Sequence, residues 1–577
     1  MADHPKIARV LCDRSGPDRA FDYQIPTSLV DRVSVGSLVR VDLHGRRIGG
    51  WVRELDPADA ASVEELLPLQ RVSSVGPDSA VCELAEWAAH RWAGRRSQFF
   101  RTASPPRVVS AIGGSSYSGL QPEPRSPATT KLLGGRGGVL RLPPTSDVLP
   151  SIWSCLVSGP VLVIVPGVDD AAILHSRVSR AGVTTALWPQ DWSRAAAGVD
   201  VTIGTRTAAF ARLPSLGSIL VVDEFDERLQ SESSPTWHAR EVLSERARRA
   251  GLPLVLVSAV PTPEGLQARE VVAPPFARES AGWPDISVAD LSEVDGPQVG
   301  RLSSAVIQEL RDTSRRVLCV LNRTGTSRLL ACRSCRELAI CEHCESVMSQ
   351  PGDNELFCAK CGEQRPLMCS HCSGMAFSNL RPGTGRLVKE IAAAAGRPAL
   401  VVERDVQPEW SSGSTDVFVG TEAMLHRVAH ADTVVFLDID SEIFAPRFRA
   451  GEHVLGLLAR AARVVGRRGE GGRLILQTSD PSHELLASIG QTDIGAATEA
   501  ERAQREALSL PPYGAMAVIE GGSASEFVDS LPDTVRVGGA GDRRQVRAVD
   551  AEVLADALAV GKRPTKGKLR VAVNPSR

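Results

Sequence analysis

The sequence predicts a multidomain α/β protein with a β-rich N-terminal domain, two parallel α/β lobes, a cysteine-rich insertion and an α+β C-terminal domain. Three observations predict this order. Short alternating segments fill residues 1–106, continuous apolar runs later alternate with helical stretches, and four CxxC pairs fall between Cys332 and Cys372. Strands that are buried on both faces and separated by helices are typical of a parallel sheet.

The composition limits the kind of protein. A chain of 577 residues holds roughly three or four domains, and an apolar fraction of 43% provides for buried cores. The 66 basic and 68 acidic residues give a net charge of −2, so a nucleic-acid surface must be a local patch. No apolar run reaches about 18 residues, and the N-terminus has no signal-peptide pattern. We therefore expect a cytoplasmic protein with reduced cysteines and no membrane contact.

The N-terminal segment, residues 1–106, is predicted to be a small β-rich domain. Its alternating segments are separated by glycine and proline and read IARVLC, VGSLVRVDL and RRIGGWVREL. A helical stretch then leads into arginines interleaved with aromatic residues, which are Arg91, Arg95, Arg96, Phe99, Phe100, Arg101 and Arg107. Guanidinium groups contact phosphates and aromatic faces stack on bases, so this run suits single strands or fork junctions. The alternative is a helix end with a solvated arginine face.

Two lobes are predicted after a linker at 107–138, which is rich in glycine, serine and proline. Buried strands are predicted for lobe 1, residues 139–290, at 160–166, 199–204, 218–225 and 252–260. Those of lobe 2, residues 291–490, are predicted at 316–322, 398–405, 415–421, 433–440 and 472–478. Two such lobes in tandem indicate a motor-type nucleotide-binding fold, and residues 331–373 form an insertion after the first of these lobe 2 strands.

The insertion is predicted to bind two zinc ions. Eight of the twelve cysteines form the pairs Cys332/Cys335, Cys341/Cys344, Cys358/Cys361 and Cys369/Cys372. A two-residue spacer lets both thiolates of a pair reach one ion, and two pairs complete a tetrahedral four-sulfur shell. Disulfides are the alternative, but they need an oxidising compartment. His343 and His371 are interpreted as solvated spacers, and the isolated Cys12, Cys82, Cys155 and Cys319 as core residues.

The spacing favours a nested pairing of the four knuckles. The thirteen residues 345–357 allow a hairpin that brings the second and third pairs together, as in a zinc ribbon. The outer pairs, Cys332/Cys335 and Cys369/Cys372, would then hold zinc 1, and the inner pairs zinc 2. The rival pairing of first with second and third with fourth needs return loops of only five (336–340) and seven (362–368) residues.

The C-terminal segment, residues 491–577, is predicted to hold a helix ending at LPPY and then short strands. Residues 542–577 contain nine Lys or Arg and four Asp or Glu, which is a local positive excess of five. This excess fits a phosphate-facing surface, and a solvated tail is the alternative.

The order of these pieces resembles the PriA family of replication-restart proteins, also called primosomal protein N-prime, over nearly the whole chain. The matching stretches are Phe21-Asp22-Tyr23, GTRTAAFARLPSLGSILVVDE (204–224), WHAREV (237–242), SAVPTPE (258–264), LNRTG (321–325), FRAGE (448–452), LQTSDPSH (476–483), LPPYG (510–514) and the four cysteine pairs. The resemblance implies two superfamily-2 helicase-like lobes, an inserted module with two zincs in the nested arrangement, and DNA-binding domains at both ends.

The resemblance also implies a pocket for the free 3′ end of DNA. Its residues match Phe21, Asp22, Tyr23 and the loop glycine Gly45. An aromatic face can stack on a terminal base while a carboxylate accepts a hydrogen bond from the 3′ hydroxyl. With Arg95 and Arg96, these residues form the predicted DNA-binding set. The implied partners are forked or single-stranded DNA, replication-restart and helicase-loading proteins, and the single-stranded-DNA-binding protein.

The motor motifs depart from those of the family. A phosphate loop needs GxxxxGK[ST], whereas the stretch that we match to it, Lys131 to Thr145, has glycines, Arg136 and two prolines. DEEH becomes Asp223-Glu224-Phe225-Asp226, SATP becomes Ser258-Ala259-Val260-Pro261, and GTQMxxKGHDF becomes Gly420-Thr421-Glu422-Ala423-Met424-Leu425-His426-Arg427. In the arginine-finger helix QxxGRxGR, Val464 replaces one arginine and Arg467 matches the other.

These losses predict a protein without ATP hydrolysis and therefore without catalytic residues. Asp223, Glu224 and Arg467 mark a residual nucleotide and Mg²⁺ site, at which ATP binds weakly or not at all. The predicted function is fork recognition and recruitment of the replisome-loading machinery without unwinding. One rival is an active ATP-dependent 3′-to-5′ helicase that uses Arg136 in place of the lysine. The other is a zinc protein-interaction scaffold without DNA contact.

Overall fold

The computed structural model describes most of the chain. The described residues are 6–13, 18–60, 62, 65–267, 269–291, 302–321, 330–332, 334–335, 339, 341–342, 348, 350, 354–357, 363–379, 384–402, 417–445, 448–564 and 567–575. Within these residues, no helix combines the length and the apolar content that crossing a membrane requires.

The N-terminal domain is a five-stranded antiparallel sheet of order β2-β1-β4-β3-β5. Its strands are β1 (Ile7–Cys12), β2 (Ala20–Gln24), β3 (Leu38–Leu43), β4 (Arg46–Leu55) and β5 (Arg71–Ser74). Val10, Val41 and Val52 are fully buried on one face, which follows from the alternation of apolar and polar residues along each strand. The predicted β-rich start is confirmed.

Two helices connect this sheet to the rest of the chain, α1 (Ser79–Arg91) and α2 (Arg96–Ala103). Asp78 caps α1 by accepting a hydrogen bond from the amide of Val81. Phe99 and Phe100 on α2 are buried in one apolar core that also contains residues of lobe 1 and of the C-terminal domain. The N-terminal domain is therefore packed firmly against both.

Lobe 1 is a seven-stranded parallel sheet of order β12-β6-β11-β10-β7-β9-β8. In chain order its elements are α3 (Pro127–Leu133), β6 (Gly137–Arg141), α4 (Leu149–Leu156), β7 (Val161–Ile164), α5 (Val168–Arg180), β8 (Thr185–Leu187), α6 (Trp192–Ala197), β9 (Val201–Gly204), β10 (Ser218–Val222), α7 (Ala239–Ala250), β11 (Leu254–Ser258), α8 (Pro263–Leu266) and β12 (Val271–Val272), followed by α9 (Phe276–Ala281). Strands β7 and β10 are almost wholly buried, as their continuous apolar runs predict.

The predicted linker, 107–138, is attached to lobe 1 along part of its length. The hydroxyl and amide of Ser118 donate to the carboxylate of Asp200 at 2.5 and 3.0 Å, and the amide of Ser116 donates to the carbonyl of Gly198. Residues 127–133 of this segment form α3, which begins at a Ser126 cap and buries Leu132. Composition alone does not reveal these contacts, because each depends on a partner far along the chain.

Lobe 2 begins with β13 (Asp285–Asp290), α10 (Ser304–Arg311) and β14 (Val317–Leu321). Strand β13 pairs in parallel with residues 473–478, so the second sheet starts before residue 291, the boundary that we expected. The difference arises because DISVAD carries little apolar signal: Asp285 and Ser287 are polar and exposed, and Ile286 is the one buried residue of this strand.

The cysteine-rich insertion forms two small antiparallel ribbons. They pair β15 (Leu330–Cys332) with β18 (Phe377–Asn379), and β16 (Glu355–Phe357) with β17 (Gln364–Pro366). Leu330, Ala339, Cys341, Met348 and Leu356 make its small apolar core. A core of this size cannot hold a domain together without a cross-link or a metal.

The rest of lobe 2 completes a six-stranded parallel sheet of order β13-β22-β21-β14-β20-β19. Its elements are α11 (Thr384–Ala395), β19 (Ala399–Val402), β20 (Val417–Thr421), β21 (Thr433–Phe436), α12 (Asp440–Ile443), α13 (Ala450–Val465), β22 (Arg473–Thr478) and α14 (Glu484–Gly490). The prediction of parallel α/β sheets is confirmed for both lobes.

The C-terminal domain is a four-stranded antiparallel sheet with helices, of order β24-β25-β23-β26. Its elements are α15 (Ile494–Ala507), β23 (Ala515–Glu520), α16 (Ala524–Val528), β24 (Arg536–Ala540), β25 (Arg543–Ala548), α17 (Ala551–Val560) and β26 (Arg570–Val573). Hydrogen bonds fasten it to lobe 1, where Gln230 donates to the carbonyl of Asn574 at 2.8 Å and Thr236 donates to that of Val573 at 2.9 Å.

Candidate functional site

The outer cysteine pairs of the insertion meet in one cluster. The sulfurs of Cys332 and Cys372 lie 3.5 Å apart, and those of Cys335 and Cys369 lie 3.6 Å apart. Four sulfurs around zinc at about 2.3 Å are separated by about 3.8 Å along the edges of the tetrahedron. The cluster therefore fits one zinc ion, and all four ligand atoms lie within 4.8 Å of one another.

Local backbone geometry supports the thiolate form of this cluster. Hydrogen bonding from the backbone of Cys335 is the main cause that lowers the pKa of Cys332 to about 6. The knuckle at Cys369 is closed by the amide of Ser373, which donates to the Cys369 carbonyl, and Ser373 has a left-handed φ of 58°. Metal ligands must be deprotonated, so a lowered thiol pKa favours binding at neutral pH.

The second predicted zinc shell lies mostly outside the described residues. Only Cys341 of this set is described, and it is buried; Cys344, Cys358 and Cys361 lie outside. In the sequence, the third pair falls between the described strands β16 and β17. Zinc 2 therefore stays a prediction.

A small cavity opens at the carboxyl ends of the lobe 1 strands, where ligands bind in open α/β sheets. Its volume is about 210 Å³, and its lining includes Pro143, Pro144, Val165, Asp223 and Arg463. Typical ligand pockets measure about 300–1,000 Å³. The cavity is thus small for a nucleotide.

The loop from β6 to α4, residues 142–148, occupies the place of a phosphate loop. Pro143, Pro144 and Pro150 have no amide hydrogen, so they remove donors where a phosphate cradle needs them. Asp147 accepts a hydrogen bond from the Leu149 amide at 3.1 Å and puts a negative charge at the start of α4. An anion is therefore disfavoured at this helix end.

The position of this loop corrects the sequence match. The sequence match puts the phosphate-loop counterpart at 131–145, but Lys131 lies in α3 and Arg136 lies in the turn before β6. The carbonyl of Arg136 pairs with the amide of Leu254 at the amino end of the sheet. Strand β6 has five residues, and at about 3.3 Å each it spans roughly 17 Å. Arg136 cannot replace the phosphate-loop lysine from there.

Asp223 is paired with an arginine of the other lobe. Nη1 and Nη2 of Arg463 donate to its two carboxylate oxygens at 2.5 and 2.7 Å, and Nε of Arg463 donates to the carbonyl of Pro144 at 3.0 Å. The Arg463 side chain is 47% exposed and that of Asp223 is 10% exposed. Both oxygens that could ligate Mg²⁺ already accept from a guanidinium.

The other two residual-site residues lie elsewhere. Glu224 is fully buried and accepts from Arg240 Nη1 at 2.6 Å, from the Thr262 amide at 2.7 Å and from the Thr262 hydroxyl at 2.8 Å. Arg467 follows the end of α13 and pairs with Glu470 at 2.9 Å. Glu224 and Arg467 thus each bind a partner of their own, and the grouping of Asp223, Glu224 and Arg467 in one nucleotide site stays a prediction. Arg463 faces Asp223 instead.

The predicted 3′-end residues lie on the first sheet with different exposures. Tyr23 is only 3% exposed, and its hydroxyl donates to the Asp42 carbonyl at 3.0 Å. Asp42 in turn accepts from the Gly45 amide at 2.8 Å. Tyr23 therefore holds the turn that carries Gly45 and cannot stack on a base. Phe21 packs, partly buried, against the same core.

Asp22 points to the opposite face and pairs with Arg9. Nε and Nη2 of Arg9 donate to its carboxylate at 2.8 and 3.0 Å, and Arg9 also contacts Asp59 at 2.8 Å. The Asp22 side chain is 15% exposed. A carboxylate has about four lone-pair sites, so Asp22 can still accept one further hydrogen bond.

The run of arginines and aromatics is mainly structural. Phe99 and Phe100 are at most 1% exposed, and Phe99 meets Phe210 edge-on at 5.8 Å between ring centroids. They therefore cannot stack on bases, which corrects the sequence interpretation. Arg96 is bound to Asp18 through its backbone amide and its guanidinium. Arg95 is exposed.

A pair of arginines from both ends of the chain remains as a basic patch. Burial is the first cause that lowers the pKa of Arg563, and the nearby charge of Arg95 is the second. Arg563 also donates to the carbonyl of Ala93. Sequence reasoning missed Arg563 in this patch, because no local pattern links residues 95 and 563.

Comparison with known proteins gives matches to the N-terminal domain and to most of the chain. Residues 9–105 match the family described as the 3′ DNA-binding domain (3′BD). A probable replication restart protein PriA of Mycobacterium leprae (strain TN) is 28% identical over 89% of this chain and 88% of its own length. Replication restart protein PriA of Treponema pallidum (strain Nichols) is 30% identical over 60% of this chain and 55% of its own. That of Bacillus subtilis (strain 168) is 26% identical over 61% and 46%.

Proposed function

We propose, since the chain belongs to the PriA family of replication restart proteins, that it acts in replication restart by recognising forked DNA without unwinding it. It would recruit helicase-loading proteins and the single-stranded-DNA-binding protein to the fork. The proposed lack of unwinding rests on the loop 142–148. In this loop, prolines and Asp147 lie where a motor needs a phosphate cradle.

The contact with Asp223 supports the same proposal. A motor holds Mg²⁺ with the acid at this strand end and positions the γ-phosphate with a loop lysine. In this chain a guanidinium takes both oxygens of Asp223, and Arg136 lies at the other end of β6. The active-helicase rival would therefore need other residues for both tasks.

DNA binding is proposed for two surfaces. The first is the 3′-end domain, where Asp22 would accept a hydrogen bond from the terminal 3′ hydroxyl near the turn held by Tyr23 and Gly45. The second is the basic patch of Arg95 and Arg563, which would contact backbone phosphates. Two arginines held close together repel each other, and a phosphate between them would relieve that repulsion.

The zinc ions are proposed to be structural. Cys332, Cys335, Cys369 and Cys372 would hold one ion, and Cys341, Cys344, Cys358 and Cys361 the other. When bound, zinc cross-links the short ribbons of the insertion, which have few apolar contacts of their own. The insertion would then present a rigid surface to DNA or to a partner protein.

The test is phosphate release by purified protein with saturating Mg²⁺ and ATP, with and without a forked DNA whose binding is measured in the same tube. We expect tight fork binding and no release above the rate without protein. Stimulated release would establish the helicase rival. An absence of fork binding, together with an intact fold, would favour the protein-interaction scaffold.

A further inference from the structure

Four arginines of lobe 2 and the following helix reach carboxylates of lobe 1. They connect Arg463 with Asp223, Arg460 with Asp226, Arg449 with Glu264, and Arg505 with Glu264. The acids stand at or near the ends of the lobe 1 strands β10 and β11, where a motor would bind nucleotide and couple it to movement. The contacts therefore join the two lobes through the former motor motifs.

The contact between Arg463 and Asp223 is bidentate. Arg463 comes from α13, at the glycine position of the QxxGRxGR pattern, and its fork matches the two oxygens of Asp223. Asp223 has a left-handed φ of 52°, an uncommon conformation for a residue other than glycine. The guanidinium supplies the positive charge that Mg²⁺ would supply in a motor.

The second contact lies deeper. Arg460 is one helical turn before Arg463 on α13, so both side chains lie on one face of the helix. Its Nε is 3.6 Å from Asp226, and the side chains of Arg460 and Asp226 are 7% and 2% exposed. Burial opposes the charge of Asp226, but Arg460 and Arg228 hold its pKa well below the usual range. The carboxylate stays ionised because both arginines are in place.

The third group centres on Glu264 of α8. Arg449 and Arg505 contact its two oxygens at 2.6 and 3.2 Å, and all three side chains are at most 9% exposed. Glu452 also contacts Arg449 and Arg505, at 3.1 and 2.5 Å. If the lobes separated, these buried charges would lose partners that compensate for their desolvation.

An apolar contact accompanies the ion pairs. Phe225, between Glu224 and Asp226, belongs to the apolar core of lobe 2 together with Ala259 and Val260 of lobe 1. It lies over Gly456 of α13, where an added Cβ would come within 3.2 Å of the Phe225 ring. Phe225 thus lies in the lobe 1 motif that couples hydrolysis to motion in a motor, and its ring packs in the core of lobe 2.

We infer that these contacts form a static clasp, in which Arg463 and Arg460 hold the two lobes closed in the absence of nucleotide. A motor closes its lobes when nucleotide binds between them and opens them after hydrolysis. Here the charge that closes the cleft is part of the chain, so the closed arrangement is permanent. This inference goes beyond the proposed function, since it concerns lobe movement and not DNA recognition.

The test is amide hydrogen exchange of the full-length protein, followed in peptides that cover 223–230 and 450–465, with and without Mg²⁺ and a non-hydrolysable ATP analogue. In the wild-type protein we expect no change on adding nucleotide. In Arg460→Ala/Arg463→Ala, exchange of both peptides should rise about tenfold or more, because Asp223 loses its bidentate partner, Asp226 keeps only Arg228, and the cleft opens locally.

Arg467→Ala is the matched control, since Arg467 lies just beyond the same helix and, among the residues that the structure describes, forms its ion pair with Glu470, three residues on. It should leave exchange within about twofold of wild type. Asp226→Asn provides a second, nearly isosteric variant if the double variant is unstable, and it should accelerate exchange in the same peptides. Unchanged exchange in the variants, or a nucleotide response of the wild-type protein, would overturn the clasp. Fork binding and phosphate release measured on the same samples report on the proposed function separately.

Discussion

Arg463 donates from both terminal nitrogens to Asp223, across the cleft between the two lobes. This pair gives the Asp223 carboxylate a cationic partner within the chain itself. A carboxylate that is only 10% exposed and has neither a metal nor a cation would be costly to bury. The prolines and Asp147 in the loop 142–148 and the presence of Arg463 are therefore complementary, because the arginine offsets the Asp223 charge that Mg²⁺ neutralises in a motor.

The first prediction concerns this pair. Arg463→Ala should lower the free energy of unfolding of the lobes by about 1–3 kcal/mol, because it leaves Asp223 charged and unpaired. Asp223→Asn should cost less, since the arginine side chain is half-exposed and can turn to solvent. Thermal unfolding of both single variants and of the double variant gives the coupling energy. Strictly additive effects would show that the two side chains do not stabilise each other.

The contact of Arg463 with Asp223 was not predicted from the sequence. The pattern QxxGRxGR directed attention to Val464 and Arg467, the positions of the family's arginines. In the structure α13 ends at Val465, so Arg467 is beyond the helix, whereas Arg460 and Arg463 share a face. The spacing of three residues between them was visible in the sequence and could have predicted that face. The acids opposite could not be predicted, because they depend on how the lobes pack.

The phosphate loop shows a different limit. The glycines at 134–138 resemble a phosphate loop, but Gly134 and Gly135 precede β6, Gly137 and Gly138 begin it, and none of the four follows it. Strand β6 is short and two prolines follow soon after it. The sequence alone therefore did not show where the strand ends and the loop begins. By contrast, β7, β9, β10 and β11 were predictable, since each is a continuous apolar run bounded by turn residues. The outer cysteine cluster was also predictable from spacing alone.

The second prediction concerns zinc. Cys332→Ser/Cys335→Ser should lower the zinc content from about two ions per chain to about one, because the outer sulfurs form one shell. Cys341→Ser/Cys344→Ser should remove the other ion. Each should also melt the insertion, since structural zinc contributes folding free energy directly. Elemental analysis of dialysed protein measures the metal.

A control for the zinc experiment lies inside the same knuckle. His371 stands between Cys369 and Cys372 and is exposed. His371→Ala should keep both ions. Full zinc content in either cysteine variant would contradict the assignment of that shell.

The third prediction separates packing from DNA contact in the segment 95–101. Phe99→Ala should destabilise the protein by about 3–5 kcal/mol, because the ring lies in the core shared by the N-terminal domain and lobe 1. Arg95→Ala should leave stability unchanged but weaken fork binding and reduce its salt dependence by about one phosphate contact. Thermal unfolding and fork titrations at several salt concentrations measure the two effects. If Arg95→Ala binds forks like wild type at low and high salt, the basic patch is not a phosphate contact.

The fourth prediction concerns recognition of the 3′ end. Asp22→Ala should weaken binding to forks that have a free 3′ hydroxyl more than binding to forks blocked by a 3′ phosphate, because only the hydroxyl donates to the carboxylate. A single charge-assisted hydrogen bond is worth about 1.5–3 kcal/mol, which corresponds to roughly tenfold to a hundredfold in affinity. Arg9 keeps its contact with Asp59 in this variant, so the sheet should remain folded.

Asp59→Ala is the matched control. It removes the other close partner of Arg9, at a side chain that is 78% exposed, and leaves Asp22 in place. Equal losses on both forks in Asp22→Ala, or the same preference lost in Asp59→Ala, would mean that Asp22 orients Arg9 and does not read the DNA end.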